Sequence, residues 1–205
     1  MNSLDKLIEQ FEKFPGIGAR QARRFAFHIL SLPEAETEEL ASLITSLKNT
    51  VSECHSCRRF FARNGGSSVL CSICDDTNRD QSKLLVVSND SDVQAIERGQ
   101  TYNGLYFVLG GTIPLLTERV NNKIRGGALK ALVTEKTKDG LTEIILAFAV
   151  NPDGENTARY VETLLKEMLE QSNLKISVLG RGLSTGSELE YADPETIKNA
   201  LENRH

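Results

Sequence analysis

The sequence predicts a mixed α/β protein with a helical N-terminal region, a four-cysteine metal module, a mainly parallel sheet with flanking helices, and a C-terminal tail. Three observations support this fold class. Apolar residues recur at helical spacing before position 51, two CxxC pairs follow, and short apolar runs alternate with helical segments from residue 83 onward. Strands that are apolar on both faces are typical of parallel sheets covered by helices.

The sequence pattern of the N-terminal region predicts three helices. Apolar side chains at helical spacing place the first over residues 3–13 and the second over about 19–30. Pro33 ends the second helix, and residues 35–51 form the third. An acidic cluster at the start of the third helix is interpreted as a solvated helix face.

The turn between the first two helices, Pro15-Gly16-Ile17-Gly18, is the signature of a helix-hairpin-helix. Glycines there permit positive φ and close approach of a partner. The N–H groups of the hairpin and of the following helix N-terminus suit a DNA phosphate. Three arginines follow, and no acid lies between Lys13 and Arg24. The predicted DNA-contacting residues are Gly16, Gly18, Arg20, Arg23 and Arg24.

This binding would be directed at the DNA backbone, single- or double-stranded, without base specificity. A tight helical turn with solvated arginines is the alternative interpretation of the same residues. A protein whose hairpin serves only assembly contacts would keep this turn and show no affinity for DNA.

The cysteines form two pairs, Cys54-His55-Ser56-Cys57 and Cys71-Ser72-Ile73-Cys74, and the chain has no others. Two facing CxxC turns make a closed site of four thiolates, so we predict one structural zinc ion held by Cys54, Cys57, Cys71 and Cys74. Two disulfides would suit a secreted chain, but residues 1–5 do not resemble a signal segment. No apolar run approaches the length of a membrane span. The expected location is the cytoplasm, with no membrane partner.

Composition limits the function further. The 205 residues are 40% hydrophobic and 25% charged, which is typical of a globular chain with one medium domain or two to three small modules. The net charge is −4, so any nucleic-acid binding depends on a local basic patch.

The sequence pattern of the second half of the chain predicts an α/β region. Its strand-like runs are residues 84–87, 105–109, 144–150 and 174–179, and its helical stretches are 92–98, 121–134 and 155–171. Asp90, Asp153 and Glu155 follow strands, where ligands bind in open parallel sheets. Together they could hold Mg²⁺. Helix capping is the alternative role, and it is the one we expect for Asp92.

A second basic segment lies inside the cysteine module, where Arg58, Arg59 and Arg63 surround Phe60 and Phe61. Aromatic rings beside arginines could stack on bases. For the two phenylalanines we predict instead a small core for the cysteine hairpin, whose internal turn is expected at residues 64–66. The role of the arginines stays open.

The order of these modules resembles the RecR family of bacterial recombination mediators over nearly the whole chain. The resemblance is carried by five segments: residues 14–28 (FPGIGARQARRFAFH), 71–80 (CSICDDTNRD), 102–111 (YNGLYFVLGG), 153–160 (DGENTARY) and 182–193 (GLSTGSELEYAD).

The resemblance implies a non-catalytic DNA-repair factor. Its homo-oligomer, a dimer or a tetrameric ring, would clamp DNA and act with RecO and RecF to load the recombinase on gapped DNA. It implies a helix-hairpin-helix region over 1–52, a four-cysteine zinc finger over 53–80, a Toprim domain over 81–178 and a tail for subunit contacts over 179–205. Arg20 and Arg24 would be the DNA contacts and the four cysteines the zinc ligands.

Four features depart from the pattern of the family that the chain resembles. Ser88 follows the first strand of the sheet where the family usually has Glu, and Asp153 stands where Glu is common. The segment after Asn151-Pro152 is shorter than usual, and the loop over 113–123 is atypical. Without that Glu, phosphotransfer chemistry is disfavoured. The alternative function, a Mg²⁺-dependent Toprim nuclease or topoisomerase-like enzyme, would depend on Asp90, Asp153 or Glu155.

Overall fold

The computed structural model describes residues 2–63, 68–116, 123–180, 182, 183, 186 and 188–202. The chain forms two compact units, Met1–Val51 and Ser52–His205. Within the described residues, no helix is both long and apolar enough to cross a membrane.

The first unit contains the three predicted helices: α1 (Ser3–Glu12), α2 (Ala19–Ser31) and α3 (Glu34–Thr50). A capping box between Asn2 and Asp5 begins α1. Helices α1 and α2 pack together through small residues, because Ala22 and Ala26 of α2 are fully buried. The prediction of these helices is therefore confirmed.

The cysteine module begins the second part of the chain. Strands β1 (Val51–Glu53) and β2 (Phe60–Ala62) form a two-stranded sheet, and the short helix α4 (Ser72–Asp75) carries the second CxxC pair. The internal turn expected at residues 64–66 lies outside the described residues.

The main sheet has four strands in the order β4-β3-β5-β6, and every pair is parallel, as predicted. The strands are β3 (Asp80–Val87), β4 (Gly104–Val108), β5 (Glu143–Ala147) and β6 (Lys175–Val178). The connecting helices are α5 (Asp90–Gly99), α6 (Gly126–Lys138) and α7 (Pro152–Gln171).

Strand β3 divides the interior into two cores because successive side chains point to opposite faces. Leu84 and Val86 join the larger core with α6 and α7. Leu85 and Val87 join a smaller core that includes three of the cysteines. The sheet and the cysteine module thus share buried surface.

Three differences between the structure and the predicted elements are the most informative. Strand β5 ends at Ala147 because the chain turns there, with the Asn151 amide donating to the Ala149 carbonyl over 2.9 Å. Helix α6 begins at Gly126, later than predicted, since the Arg125 amide donates to the Leu109 carbonyl at 2.8 Å.

The third difference is a helix in the predicted tail, α8 (Pro194–Glu202), preceded by a 3-10 turn over Leu189–Tyr191. Asp193 accepts a hydrogen bond from the Thr196 amide at 3.0 Å. An Asp followed by proline is a recognisable helix start, so the signal is present in the sequence.

Gly154, in the first turn of α7, lies against the end of β5. A Cβ atom there would come within 2.0 Å of the Ala149 carbonyl oxygen, a backbone atom that cannot rotate away. We expect Gly154→Ala to destabilise the protein by about 1–3 kcal/mol in urea unfolding. Gly127→Ala is the matched control, since a Cβ there meets nothing within 4 Å. It should stabilise α6 by up to about 1 kcal/mol. Equal unfolding midpoints for Gly154→Ala and the wild type would contradict the predicted clash.

Candidate nucleic-acid interface and metal centre

The hairpin between α1 and α2 is shaped by Gly16. Its φ of +77° lies in the left-handed region, which side chains other than glycine rarely adopt. The Ile17 amide donates to the Phe14 carbonyl at 3.1 Å and closes the turn, and Gly18 caps α2 without a side chain. A Cβ at either glycine would meet nothing within 4 Å, so the backbone is open to a partner on this side.

The predicted arginines all lie on the exposed side of α2. Arg20, Arg23 and Arg24 are exposed, and Arg24 Nη1 donates to Gln21 Oε1 over 3.3 Å. Helix α2 contains no acid. Positive side chains therefore adjoin a helix N-terminus whose first amides lack partners within the helix, and this arrangement favours an anion such as phosphate.

The four cysteines converge as predicted. Their sulfur atoms all lie within 4.8 Å of one another, and Cys57 Sγ is 3.6 Å from Cys71 Sγ. None forms a disulfide. Four thiolates around a tetrahedral zinc ion, with Zn–S bonds of about 2.3 Å, would be about 3.8 Å apart. The cluster therefore fits a metal ion, and its ligands are those that zinc prefers.

The thiols interact strongly with one another. Hydrogen bonding with Cys57 lowers the pKa of the Cys54 thiol, and the same contact raises the pKa of the Cys57 thiol. The neighbouring sulfurs therefore compete for protons. A bound cation would replace those protons and let all four sulfurs be thiolates.

Two hydrogen bonds join the cysteine module to the end of β4 and to the start of α5. The Val108 amide of β4 donates to the Cys57 carbonyl at 2.8 Å, and the Phe60 amide donates to Asp90 Oδ1 at 2.6 Å. Asp90, predicted as an acid for a metal, thus accepts a hydrogen bond from the cysteine module.

A partly buried ion pair, which no sequence pattern indicates, makes a further connection. Arg79, directly before β3, binds Glu97 of α5 through two hydrogen bonds of 3.1 and 2.5 Å. Arg79 also donates to the Gly104 carbonyl at 3.2 Å and lies over the Tyr106 ring, 5.7 Å from its centroid. The Tyr106 hydroxyl donates to Glu97 at 2.7 Å. This network holds the segment after the cysteines against β4 and α5.

The network predicts a pH effect. Burial opposes ionisation of Glu97, but hydrogen bonds from Arg79 and Tyr106 outweigh it and hold the pKa of Glu97 below its usual value. Its stabilising contribution is therefore full above the unfolded pKa of about 4.3 and is lost as pH falls through the lower folded pKa. We expect Glu97→Gln to lower the free energy of unfolding at neutral pH. The difference from wild type should shrink once the pH falls below the unfolded pKa of about 4.3.

Urea unfolding at a series of pH values checks this. Glu167→Gln is the control, because Glu167 is 80% exposed and its ion pair with Lys130, at 3.7 Å, should contribute little. A Glu97→Gln difference that stays constant between neutral and acid pH would contradict the expectation.

The other predicted acids also have local partners. Asp153 Oδ1 accepts from the Leu115 amide at 3.0 Å, and Glu155 pairs with Arg159 at 3.7 Å. Asp92 completes a capping box with Asn89, which confirms its expected helix-capping role. In the described part of the chain, the four cysteines are the one group of three or more His, Cys, Asp or Glu side chains close enough to share a metal ion.

Ser88 directly follows β3 and is buried. Its carbonyl accepts hydrogen bonds from the Gly110 and Gly111 amides at 3.0 and 2.9 Å. Residue 88 thus stands at the carboxyl end of β3, and it carries a short hydroxyl side chain.

The two phenylalanines of the cysteine module differ from each other. Phe61 packs against the smaller core, as predicted. Phe60 is 53% exposed, so its assignment to that core is wrong; the Arg125 guanidinium lies 5.8 Å from its ring centroid. The strand alternates its faces, which sends adjacent rings in opposite directions.

Two of the module's arginines, Arg58 and Arg63, have local partners. Arg58 pairs with Glu53 at 3.4 Å, Glu53 also pairs with Arg125 at 3.0 Å, and Arg63 hydrogen-bonds Ser52. These contacts stabilise the β1–β2 sheet and its link to α6.

Comparison with known proteins gives consistent matches along the chain. Three family models match the chain. The model described as "RecR, helix-hairpin-helix" matches residues 4–48, the Toprim domain model matches residues 82–180, and the model described as "RecR, C-terminal" matches residues 182–205. The chain is similar to the protein named Recombination protein RecR in Streptococcus sanguinis (strain SK36), at 37% identity over 97% of this chain and 94% of the relative. The protein of that name in Rippkaea orientalis (strain PCC 8801 / RF-1) is 37% identical over 98% of this chain and 95% of the relative. The protein of that name in Lactococcus lactis subsp. lactis (strain IL1403) is 38% identical over 97% of this chain and 94% of the relative.

Proposed function

Because the chain belongs to the RecR family, we propose that it is a non-catalytic mediator of DNA recombination and repair that binds DNA through its helix-hairpin-helix. One observation carries this proposal: the exposed, acid-free arginine face of α2 adjoins a glycine turn that leaves the backbone open. Such a face is the electrostatic footprint of a phosphate-binding surface. The residues that we assign to it are Gly16, Gly18, Arg20, Arg23 and Arg24.

A structural role for the cysteines follows from their number. We propose zinc as the bound ion, held by Cys54, Cys57, Cys71 and Cys74. Four thiolates leave no open coordination position, so the ion would stabilise the fold without taking part in chemistry.

The acids at the strand ends support a non-enzymatic function. Two-metal phosphoryl chemistry depends on carboxylates that converge on the ions. Here Asp90 and Asp153 accept hydrogen bonds from backbone amides, and Ser88 stands where a Glu would supply a general acid or base. We assign Asp90 and Asp153 positioning roles in the fold.

Self-association is supported by α3. Leu43, Ile44 and Leu47 are each more than half exposed and lie on one stripe of that helix. A second copy of the chain offers the same apolar stripe, and a symmetric contact would cover both. We propose a dimeric or tetrameric clamp in the cytoplasm that acts with RecO and RecF at gapped DNA, as the family resemblance implies.

The proposed modules follow the matched segments: residues 1–52 bind DNA and assemble subunits, 53–80 form the metal module, 81–178 the Toprim domain, and 179–205 the tail for subunit contacts. The family models over 4–48, 82–180 and 182–205 support this division.

The experiment is a gel-shift assay on labelled gapped duplex DNA at low and moderate salt, with and without Mg²⁺. We expect shifts that weaken steeply with salt, because phosphate contacts release counterions, and we expect the DNA to stay intact. Mg²⁺-dependent cleavage that is lost in Asp153→Ala would instead establish the Toprim nuclease, and the absence of any shift would favour a protein with assembly contacts alone.

A further inference from the structure

One aromatic side chain lies within the arginine face of α2. Successive residues of a helix are about 100° apart, so residues 20, 23, 24 and 27 occupy one side of it. Phe27 therefore shares this side with the arginines, one turn after Arg23 and Arg24, and the residue is 57% exposed. Apolar burial does not explain its position, because the buried residues of this helix, Ala22 and Ala26, are on the other side.

The neighbouring aromatics have partners inside the unit. Phe11 makes edge-on contacts with Phe14 and Phe25, with ring centroids 5.8 and 5.9 Å apart. In the described residues Phe27 has no comparable ring contact. It is thus an exposed ring next to Arg23 and Arg24, which lie one turn before it on the same side of the helix.

This combination matches the chemistry of an unpaired DNA base. The arginines attract the phosphates of a strand, and an exposed ring offers a face on which a base can stack. In an intact duplex the base faces are covered by their neighbours, so a ring on the protein surface can reach only phosphates and groove edges. A stacking ring therefore adds affinity for single-stranded DNA and little for duplex.

We propose that Phe27 is a specificity-determining residue that stacks on an unpaired base and directs this face to single-stranded or gapped DNA. The inference rests on the proposed DNA-binding function and deepens it: Arg20, Arg23 and Arg24 hold any DNA strand, and Phe27 selects an unpaired one. The occupant is a nucleobase, because the basic surroundings of the ring complement a polyanion.

The test compares Phe27→Leu, Phe27→Tyr and Leu30→Ala with the wild type. Each protein is titrated by fluorescence anisotropy with a labelled single strand and with a duplex of the same sequence, at one salt concentration. Leucine keeps an apolar side chain without a ring, and tyrosine restores the ring. Leu30, 66% exposed on the same helix, is the control for apolar contact between protein chains.

We expect Phe27→Leu to bind the single strand about 10-fold more weakly and the duplex within about twofold of wild type, whereas Phe27→Tyr and Leu30→Ala bind both as the wild type does. Circular dichroism and sedimentation should show the same fold and the same oligomer for all four proteins.

Two results would overturn the inference while leaving DNA binding in place. One is unchanged single-strand affinity in Phe27→Leu. The other is an equal loss on both DNAs, accompanied by a changed oligomer in Phe27→Leu and Leu30→Ala, which would make the ring part of a contact between chains. Failure of the wild type to bind either DNA would refute the proposed function itself.

Discussion

Replacement of Arg20 and Arg24 by alanine is expected to weaken DNA binding by roughly 30-fold at about 0.15 M salt. Each lost phosphate contact lowers the slope of log affinity against log salt by about 0.9, which corresponds to about fivefold in affinity at this concentration. Both side chains are exposed on a helix without acids, so their loss removes charge without disturbing packing. The same titration over several salt concentrations gives the affinity and the slope together.

The control is Lys166→Ala with Lys175→Ala, which removes equal charge from two exposed positions of the α/β unit. It should leave the slope unchanged if binding is local to the hairpin. Equal losses in the two double variants would mean that net charge, rather than the arginine face, governs binding. Double replacement by glutamate should weaken binding further, because each acid also repels the strand.

Replacement of Cys57 by serine is expected to abolish stoichiometric metal binding and to destabilise the whole α/β unit by more than about 4 kcal/mol. The loss should extend beyond the module because the cysteines share a buried core with β3 and β4. Serine keeps the backbone carbonyl of residue 57 that accepts from Val108, so the variant isolates the effect of the thiolate.

Metal content per chain and urea unfolding are the two measurements. Ser56→Ala, in the same turn but without a ligand atom in the cluster, should retain one zinc ion and wild-type stability. A Cys57→Ser protein that lost its metal yet unfolded at the wild-type midpoint would show that the module contributes no stability to the sheet.

Local patterns explain why much of this architecture could be predicted. The CxxC spacing determines the cysteine cluster almost by itself, since each turn brings its two sulfurs together. The apolar runs of β3 and β4 identify buried strands because both of their faces are covered. The turn at Gly16 follows from a conformation that glycine adopts readily.

The features that sequence reasoning misses depend on residues far apart in the chain. Arg79 meets Glu97 and Asp90 meets the Phe60 amide only after the sheet and the module have folded together. The spacing of residues in the sequence does not indicate such pairs. An acidic residue after a strand gives the same sequence pattern whether its carboxylate binds a cation or accepts a hydrogen bond from an amide. The core assignment of Phe60 fails because a pair of adjacent rings does not reveal which one faces inward.

Strand β4 is the outermost strand on its side of the sheet, yet all five of its residues are buried. An uncovered edge of this composition would be a template for pairing with strands of other molecules. The cysteine turn lies against that strand, and its carbonyl at Cys57 occupies the Val108 amide. Loss of the proposed metal ion is therefore expected to uncover part of this edge, so that metal removal lowers the solubility of the protein as well as its stability.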